Sequence, residues 1–450
     1  MLKPTIFREY DIRGIAETEL SDAGITALGR AIGTFARRRK GRTVNVGRDC
    51  RLSSSRLRDA LVRGLVESGC AVTDLGVVPT PLVYYSSFKL HADGAVMITG
   101  SHNAPEYNGF KIMCGDSTIY GPQIQELRRM VEMSDFESGE GSAQSCDIVT
   151  PYVDEVAAQF SWERRVKVVL DAGNGVAGPV LERLLTRLNC EAVPMYFEMD
   201  GRFPNHHPDP TLPEALDPLI AAVKEHGAEL GIGFDGDADR LGAVDNEGRV
   251  VWGDQLLLIY AREILGRKPG ATFIGEVKCS QVMYDEIARL GGKAIMWRTG
   301  HSLIKAKMQE TRAAMAGEMS GHMFFADRYY GFDDAIYAAC RLLEIVSRSG
   351  RPLSAQLEGL PSRVVTPEIR VDCPDEQKFE VVRRVTESFR ASHRVVDIDG
   401  VRVLFEDGWG LLRASNTGPV LVMRFEAANE EALNRYREEM ERVLSRARAA

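Results

Sequence analysis

The chain carries one pattern three times: a short β-branched run, then small or polar residues, then positions that are apolar at helical spacing. The runs are Thr43-Val44-Asn45-Val46, Val166-Lys167-Val168-Val169-Leu170 and Ala271-Thr272-Phe273-Ile274. The helical periods behind them cover residues 54–68, 177–188 and 281–290. A strand followed by a crossover helix predicts βαβ units and a parallel sheet, since the right-handed crossover packs back onto the sheet. The roughly even spacing of the three runs points to one α/β unit used three times. Ahead of the first unit, a strand-like segment begins at Ile6-Phe7. An amphipathic stretch over 25–36 runs into the basic residues 37–40, which read as a solvated helix end.

Beyond residue 367 the texture changes. Strand-like runs over 368–371, 401–405, 410–414 and 420–425 are interleaved with two amphipathic helical periods, 376–392 and 430–446. This is the signature of a smaller α+β unit with an antiparallel sheet. Boundaries fall at the polar, Gly/Ser-rich stretch 134–145, near the turn Asn246-Glu247-Gly248, and around 359–367. The expected fold class is α/β: three similar domains with mixed, mostly parallel sheets at 1–145, 146–250 and 251–363, and a C-terminal α+β domain at 364–450.

Composition narrows the function classes. The chain has 450 residues, 44% of them hydrophobic and 27% charged, with 56 Lys+Arg against 64 Asp+Glu. A net charge of −8 gives no electrostatic footprint for nucleic acid. The eight cysteines include no C-x-x-C pair, which disfavours a zinc knuckle or dithiol motif and suits a reducing, cytoplasmic location. No apolar run approaches the roughly 18 residues needed to span a bilayer, so no membrane partner is expected.

Four loops carry candidate chemistry. After the apolar run 95–98 comes Thr99-Gly100-Ser101-His102-Asn103, continuing through Asn108-Gly109 to Lys111. A serine after glycine at the C-terminal end of a strand has the placement of a nucleophile or phosphate carrier. His102 and Lys111 can handle protons or neutralise phosphate; a polar turn with a capping serine is the plainer alternative. Leu230–Arg240 delivers Asp235, Asp237 and Asp239 within five residues. Alternate positions of an extended segment share one face, and three like charges there call for a cation. Arg240 stands where a calcium-binding EF-hand needs glycine, so Mg²⁺ with an open position for a phosphate oxygen suits the loop best. An aspartyl-phosphate nucleophile is the competing reading.

In Gly317-Glu318-Met319-Ser320-Gly321-His322 a carboxylate and a hydroxyl alternate, which suits the holding of sugar hydroxyls, and His322 can act as acid or base. Arg298-Thr299-Gly300-His301 follows another strand-like run. Finally Arg413-Ala414-Ser415-Asn416-Thr417-Gly418-Pro419 offers a guanidinium, hydroxyls, an amide and free N–H groups, the equipment of a phosphate-binding loop; a hairpin turn is its bland alternative. At the N-terminus Arg8, Tyr10 and Arg13 set cations beside an aromatic ring, and His206-His207 sits in a proline-framed loop that reads as rigid rather than metal-binding.

TGSHNAPEYNGFK at 99–111, DGDADR at 235–240, GEMSGH at 317–322 and RASNTGP at 413–419, in that order, resemble the α-D-phosphohexomutase superfamily. GEMSGH is similar to its phosphomannomutase/phosphoglucomutase subgroup; phosphoglucosamine mutases typically have Gln where this chain has Met319. The resemblance spans essentially the whole chain. It implies a central cleft to which each domain gives one loop, and an exchange between hexose 1-phosphate and hexose 6-phosphate through hexose 1,6-bisphosphate. It also implies Ser101 as the phosphoserine and, with Asp235, Asp237 and Asp239, as a ligand of Mg²⁺. Arg240 would meet the transferring phosphoryl group, and Glu318 and Ser320 would read sugar hydroxyls. Arg413, Ser415, Asn416, Thr417 and Gly418 would grip the distal phosphate, with Tyr10, Arg13 and Arg298 also facing substrate. Arg298 stands where the subgroup more often has Lys. Lys111, His301 and His322 are the proton-transfer candidates, with acid and base unassigned among them, and His102 adjoins the serine. The alternatives are a phosphoglucosamine mutase and a metal-dependent phosphosugar phosphatase. Hexose phosphates are the expected partners of a monomer or weak dimer.

Overall fold

A computed structural model of the chain describes residues 2–115, 117–416 and 418–449. It contains four sheets, one per domain. In the first, the parallel strands Ala71–Val77, Thr43–Arg48 and Gly94–Ile98 lie side by side, followed by the antiparallel Tyr107–Cys114 and then Ile12–Ile15. The second sheet runs Cys190–Met195, Val166–Asp171, Leu230–Phe234, Leu241–Asp245, Val250–Val251, and the third Lys293–Trp297, Thr272–Glu276, Met315–Gly317, Met323–Phe325. Each is parallel until its last turn or two, where the chain doubles back antiparallel. The fourth sheet is antiparallel throughout, with the helices Lys378–Arg390 and Glu430–Ala449 supplying the rest of its core. Three α/β domains and a C-terminal α+β domain are thus present.

Two local expectations need correcting. The strand-like start at Ile6-Phe7 is a 3-10 turn, Pro4–Ile6, and the first strand is Ile12–Ile15; Pro4 at the turn's first position favours the turn over a strand. The polar stretch 134–145 is not purely a linker. Its end, Ser142–Ser145, adds a parallel edge strand to Ala71–Asp74, and its four side chains stay exposed because only backbone groups are recruited.

A shared feature sets the position of all four chemistry-bearing loops. Residues 99–106 join Gly94–Ile98 to the antiparallel Tyr107–Cys114, and 235–240 join Leu230–Phe234 to Leu241–Asp245. Residues 318–322 join Met315–Gly317 to Met323–Phe325, and 415–419 join Trp409–Ala414 to Val420–Ala427. Each loop is a hairpin connection at a strand's C-terminal end, fixed on both sides by a register of backbone hydrogen bonds.

The first three domains share a continuous core that includes Tyr85, Val168 and Phe332, whereas the fourth has its own. Among the contacts that hold the fourth to the third, buried Arg402 donates to the carbonyls of Val277 (2.7 Å) and Cys279 (2.8 Å), Arg424 donates to Lys278 O, and Val277 packs with Trp409 and Leu411. Within domain I the helices Asp22–Arg38 and Ser54–Glu67 cross where Gly29 meets Gly64, and a Cβ on Gly64 would lie 2.1 Å from Thr26 O. Gly64→Ala is therefore expected to destabilise the protein by about 1–3 kcal/mol, because the helices must separate. Gly266, in the helix Gly253–Arg267, has open space around its would-be Cβ, and Gly266→Ala should raise stability by up to about 1 kcal/mol. Scanning calorimetry of the two variants reads opposite shifts in melting temperature. Among the described residues no helix is long and apolar enough to cross a membrane.

Candidate active site

Ser101 follows the fully buried strand Gly94–Ile98 in a left-handed turn, with φ of 49°. This conformation is costly for a residue with a Cβ and persists only where the surroundings impose it. Buried Arg51 imposes it. Its guanidinium donates to the carbonyls of Ser101 (2.8 Å), Asn103 (2.6 Å), Ala104 (2.6 Å) and Tyr107 (3.0 Å), and Asp49 balances its charge at 3.1 Å. With the loop's carbonyls turned inward, Ser101 Oγ donates to Asp235 Oδ2 at 2.9 Å and lies 3.1 Å from His102 Nδ1. Arg13 bonds Asn103 in the same loop at 2.7 Å and pairs with Asp11.

The carboxylates of Asp235, Asp237 and Asp239 are all buried, each offering an oxygen within 4.8 Å of the others. Thr80 of domain I donates to Asp237 Oδ2 at 2.5 Å, and Lys111 Nζ sits 2.7 Å from the same oxygen while also bridging to Asp239. Asp237 Oδ1 is buried with no hydrogen-bond partner among the described residues. Burial, then the charges of Asp237 and Asp239, push Asp235 well above the usual carboxylate range. Burial works against ionisation of Asp239 too, but Lys111 and His322 outweigh it and hold its pKa well below the usual value. An orphaned oxygen and a carboxylate under like-charge stress fit a hard divalent cation with oxygen ligands.

Burial also opposes the charge on Lys111, yet Asp237, Asp239 and Asp235 overcome it and keep its pKa above that of a free lysine. Arg240 Nε lies 3.2 Å from His322 Nε2, and its terminal nitrogens make no hydrogen bond to described residues. His322 lies between Glu318 Oε2 (2.8 Å from Nδ1) and Asp239 Oδ1 (3.2 Å from Nε2), with Ser320 Oγ 3.1 Å from Nδ1. Burial would lower its pKa, but the Asp239 carboxylate leads a set of partners that raise it to about 9. His301 is driven the other way, well below its ordinary value, by burial and then by Lys305, Lys111 and His322. The centroids of the two rings stand 5.8 Å apart. The pKa of His102 is likewise pushed well below its ordinary value, by burial and then by Arg240 and Arg13.

Domain IV brings Arg413, paired with Asp399 at 2.9 Å, and Ser415, whose carbonyl accepts from Lys378 at 2.5 Å and whose Oγ accepts from Gly418 N. Asn416 donates to Tyr10 Oη, and that hydroxyl donates to Thr299 O at 2.7 Å, so Tyr10 ties domains I, III and IV together at one point. Gly300 beside it has φ of 129°, and a Cβ there would lie 2.4 Å from the Tyr10 ring. Thr417 lies outside the described residues. Arg298 is drawn across to Ile398 O of domain IV at 3.1 Å, and Arg8 lies 3.6 Å from Asp375. His206 bonds Asp171 at 2.9 Å rather than pairing with His207 around an ion.

Sequence reasoning missed three cations. Arg51 is one; buried Lys278, between Glu368 (3.2 Å) and Glu276 (3.7 Å), is another; and Lys305, 2.8 Å from Asp333 and 3.3 Å from His301, is the third. Lys278 follows the strand Thr272–Glu276, and its position just past a parallel strand was the available signal.

Four consecutive family models cover the chain: phosphoglucomutase/phosphomannomutase alpha/beta/alpha domains I (residues 4–138), II (150–248) and III (252–364), and the C-terminal domain (368–443). The chain is 47% identical over 435 residues to a phosphomannomutase/phosphoglucomutase of Pseudomonas aeruginosa, covering 96% of this chain and 94% of that protein. It is 44% identical over 445 residues to a phosphoglucomutase of Neisseria gonorrhoeae, covering 98% and 96%. A crystal structure of a phosphoglucomutase/phosphomannomutase family protein from Burkholderia thailandensis superposes with a TM-score of 0.93 at 43% identity, covering 100% of this chain and 98% of that one.

Proposed function

Because this chain belongs to the phosphoglucomutase/phosphomannomutase family and is a hexose-phosphate mutase, we propose that it interconverts the 1- and 6-phosphates of mannose, glucose or both. The route runs through a phosphorylated Ser101 and a hexose 1,6-bisphosphate that is both intermediate and activator. One observation carries the reading. Ser101 Oγ lies against the carboxylate cluster at one end of an array whose other end, the domain IV loop, is joined to it through Tyr10 and Asn416. A phosphatase has no need of the second end; a mutase must hold two phosphates at once.

Phosphoryl transfer has a loose transition state, so positioning and charge do most of the work. The phosphoryl group leaves Ser101 Oγ for a sugar hydroxyl, and after the bisphosphate turns around, the other phosphoryl returns to Ser101. The carboxylates of Asp235, Asp237 and Asp239, with the Ser101 oxygen, would hold Mg²⁺, which when bound supplies charge neutralisation at the reacting phosphoryl. The free nitrogens of Arg240 reach the same group. Lys111, its ammonium held between Asp237 and Asp239, serves as a fixed positive charge. His322 supplies the acid, and His301 is held neutral beside it, its Nδ1 accepting from Lys305. Glu318 and Ser320 present their oxygens to sugar hydroxyls common to both binding orientations. Arg413, Ser415, Asn416, Thr417 and Gly418 take the non-reacting phosphate, with Lys278 beside them. Eight free thiols support a cytoplasmic site of action, as a monomer or weak dimer.

Coupled assays with mannose, glucose and glucosamine 1-phosphates in parallel, with Mg²⁺ and bisphosphate present, test the assignment. Isomer formation from mannose or glucose 1-phosphate is expected to exceed that from glucosamine 1-phosphate by about tenfold or more. Fastest turnover of glucosamine 1-phosphate, or release of inorganic phosphate in step with substrate loss, contradicts it.

A further inference from the structure

A second cavity of about 360 Å³ opens between domains I and III, outside the cleft. That volume is within the range of small-molecule sites. Its aromatic wall is Phe88, Tyr330 and Phe332, with Phe88 and Phe332 stacked at 5.8 Å between centroids and the planes of Tyr330 and Phe332 nearly parallel at 6.1 Å. Three cations, Lys268, Lys305 and Arg312, face it, and no carboxylate lines it among the described residues. Exposed Lys268 and Arg312 have no ion-pair partner among the described residues.

Two further lining groups are incomplete. The hydroxyls of Tyr84 and Thr118 are buried without a hydrogen-bond partner among the described residues. Such groups are costly to leave unmade and are normally satisfied by protein, water or ligand. The third cation, Lys305, stands over the Tyr84 ring at 4.1 Å and reaches through the wall to Asp333 and to His301 Nδ1.

We propose that this cavity binds a small aromatic anion, its flat body on the Phe88–Tyr330–Phe332 wall and its charge on Arg312 and Lys268, and that occupancy alters turnover through Lys305 and His301. Stacking on π faces accounts for the planar body, and two unpaired cations with two free hydroxyls for the anionic head. The binding half stands on the cavity alone; the coupling half rests on the role proposed above for His301.

The probe is 8-anilinonaphthalene-1-sulfonate, titrated by fluorescence against the full chain with and without saturating glucose 1-phosphate. Saturable binding of about one probe per chain that survives the sugar phosphate is expected. The double variant Lys268→Ala/Arg312→Ala should weaken it by about tenfold or more, and Ala326→Trp, which fills the mouth from an exposed position, should abolish it. Both variants should turn over substrate normally without probe, which also shows them folded. Absence of saturable binding at millimolar probe overturns the proposal. So does displacement by glucose 1-phosphate, or binding that both variants leave unchanged. Probe that binds as expected without changing kcat overturns the coupling half, and failure of mutase activity itself would leave the binding result standing.

Discussion

Ser101→Ala is expected to cut mutase turnover by about a thousandfold or more while leaving the protein folded. The side chain is small, its oxygen contributes one hydrogen bond to Asp235, and the turn that holds it is fixed from behind by Arg51 rather than by the hydroxyl. Folding therefore does not depend on the group that chemistry needs. Incubation with hexose 1,6-bisphosphate labelled in phosphorus should transfer label to the wild-type chain and none to the variant. The bond should also survive hydroxylamine, which cleaves acyl phosphates. That second property separates a serine ester from a phosphorylated Asp235, 2.9 Å away. Label on the alanine variant, or label lost to hydroxylamine, rejects Ser101 as the phosphoryl carrier.

The second large effect has two parts of opposite sign. Asp235→Asn should abolish metal-dependent turnover, again by about a thousandfold, since several kcal/mol of transition-state stabilisation depend on a complete ligand set. Measured without metal, the same variant should melt no lower than wild type and up to a few degrees higher. Burial and two neighbouring carboxylates already disfavour the charge that the substitution removes. The amide keeps an oxygen for the backbone N–H groups of Asp239 and Arg240, both 3.1 Å away, and its nitrogen can donate to Ser101 Oγ. Added Mg²⁺ should raise the melting temperature of wild type and not that of the variant, because an ion binding only the folded state stabilises it by mass action. A variant that melts well below wild type without metal would show that Asp235 is anionic and paired in the resting protein.

Much of this was legible from residue order, for identifiable reasons. The central strands are continuous β-branched runs because both faces are covered, and Val166–Asp171 emerges as expected from its sequence. The aspartate loop was legible because three carboxylates at alternate positions are hard to explain without a cation. What escaped notice was the hairpin geometry of the first three loops, since Leu241–Asp245 and Met323–Phe325 are as apolar as the parallel strands they turn back on. Arg51 and Lys305 escaped for a different reason. Their importance lies in carbonyls and rings supplied by segments far along the chain, and a lone Arg or Lys carries no local pattern that marks it as buried. Ser142–Ser145 was hidden because an edge strand pairing through backbone alone needs no apolar side chains.

Lys111 has a consequence for how the molecule is made. Its ammonium comes from domain I and occupies the space between two aspartates of domain II, offsetting their charge. A newly synthesised chain therefore carries its own placeholder cation and can dock its first two domains before any ion has been captured. Removal of a divalent ion from the neighbouring carboxylates is accordingly expected to leave the two domains docked, with Lys111 still bridging them.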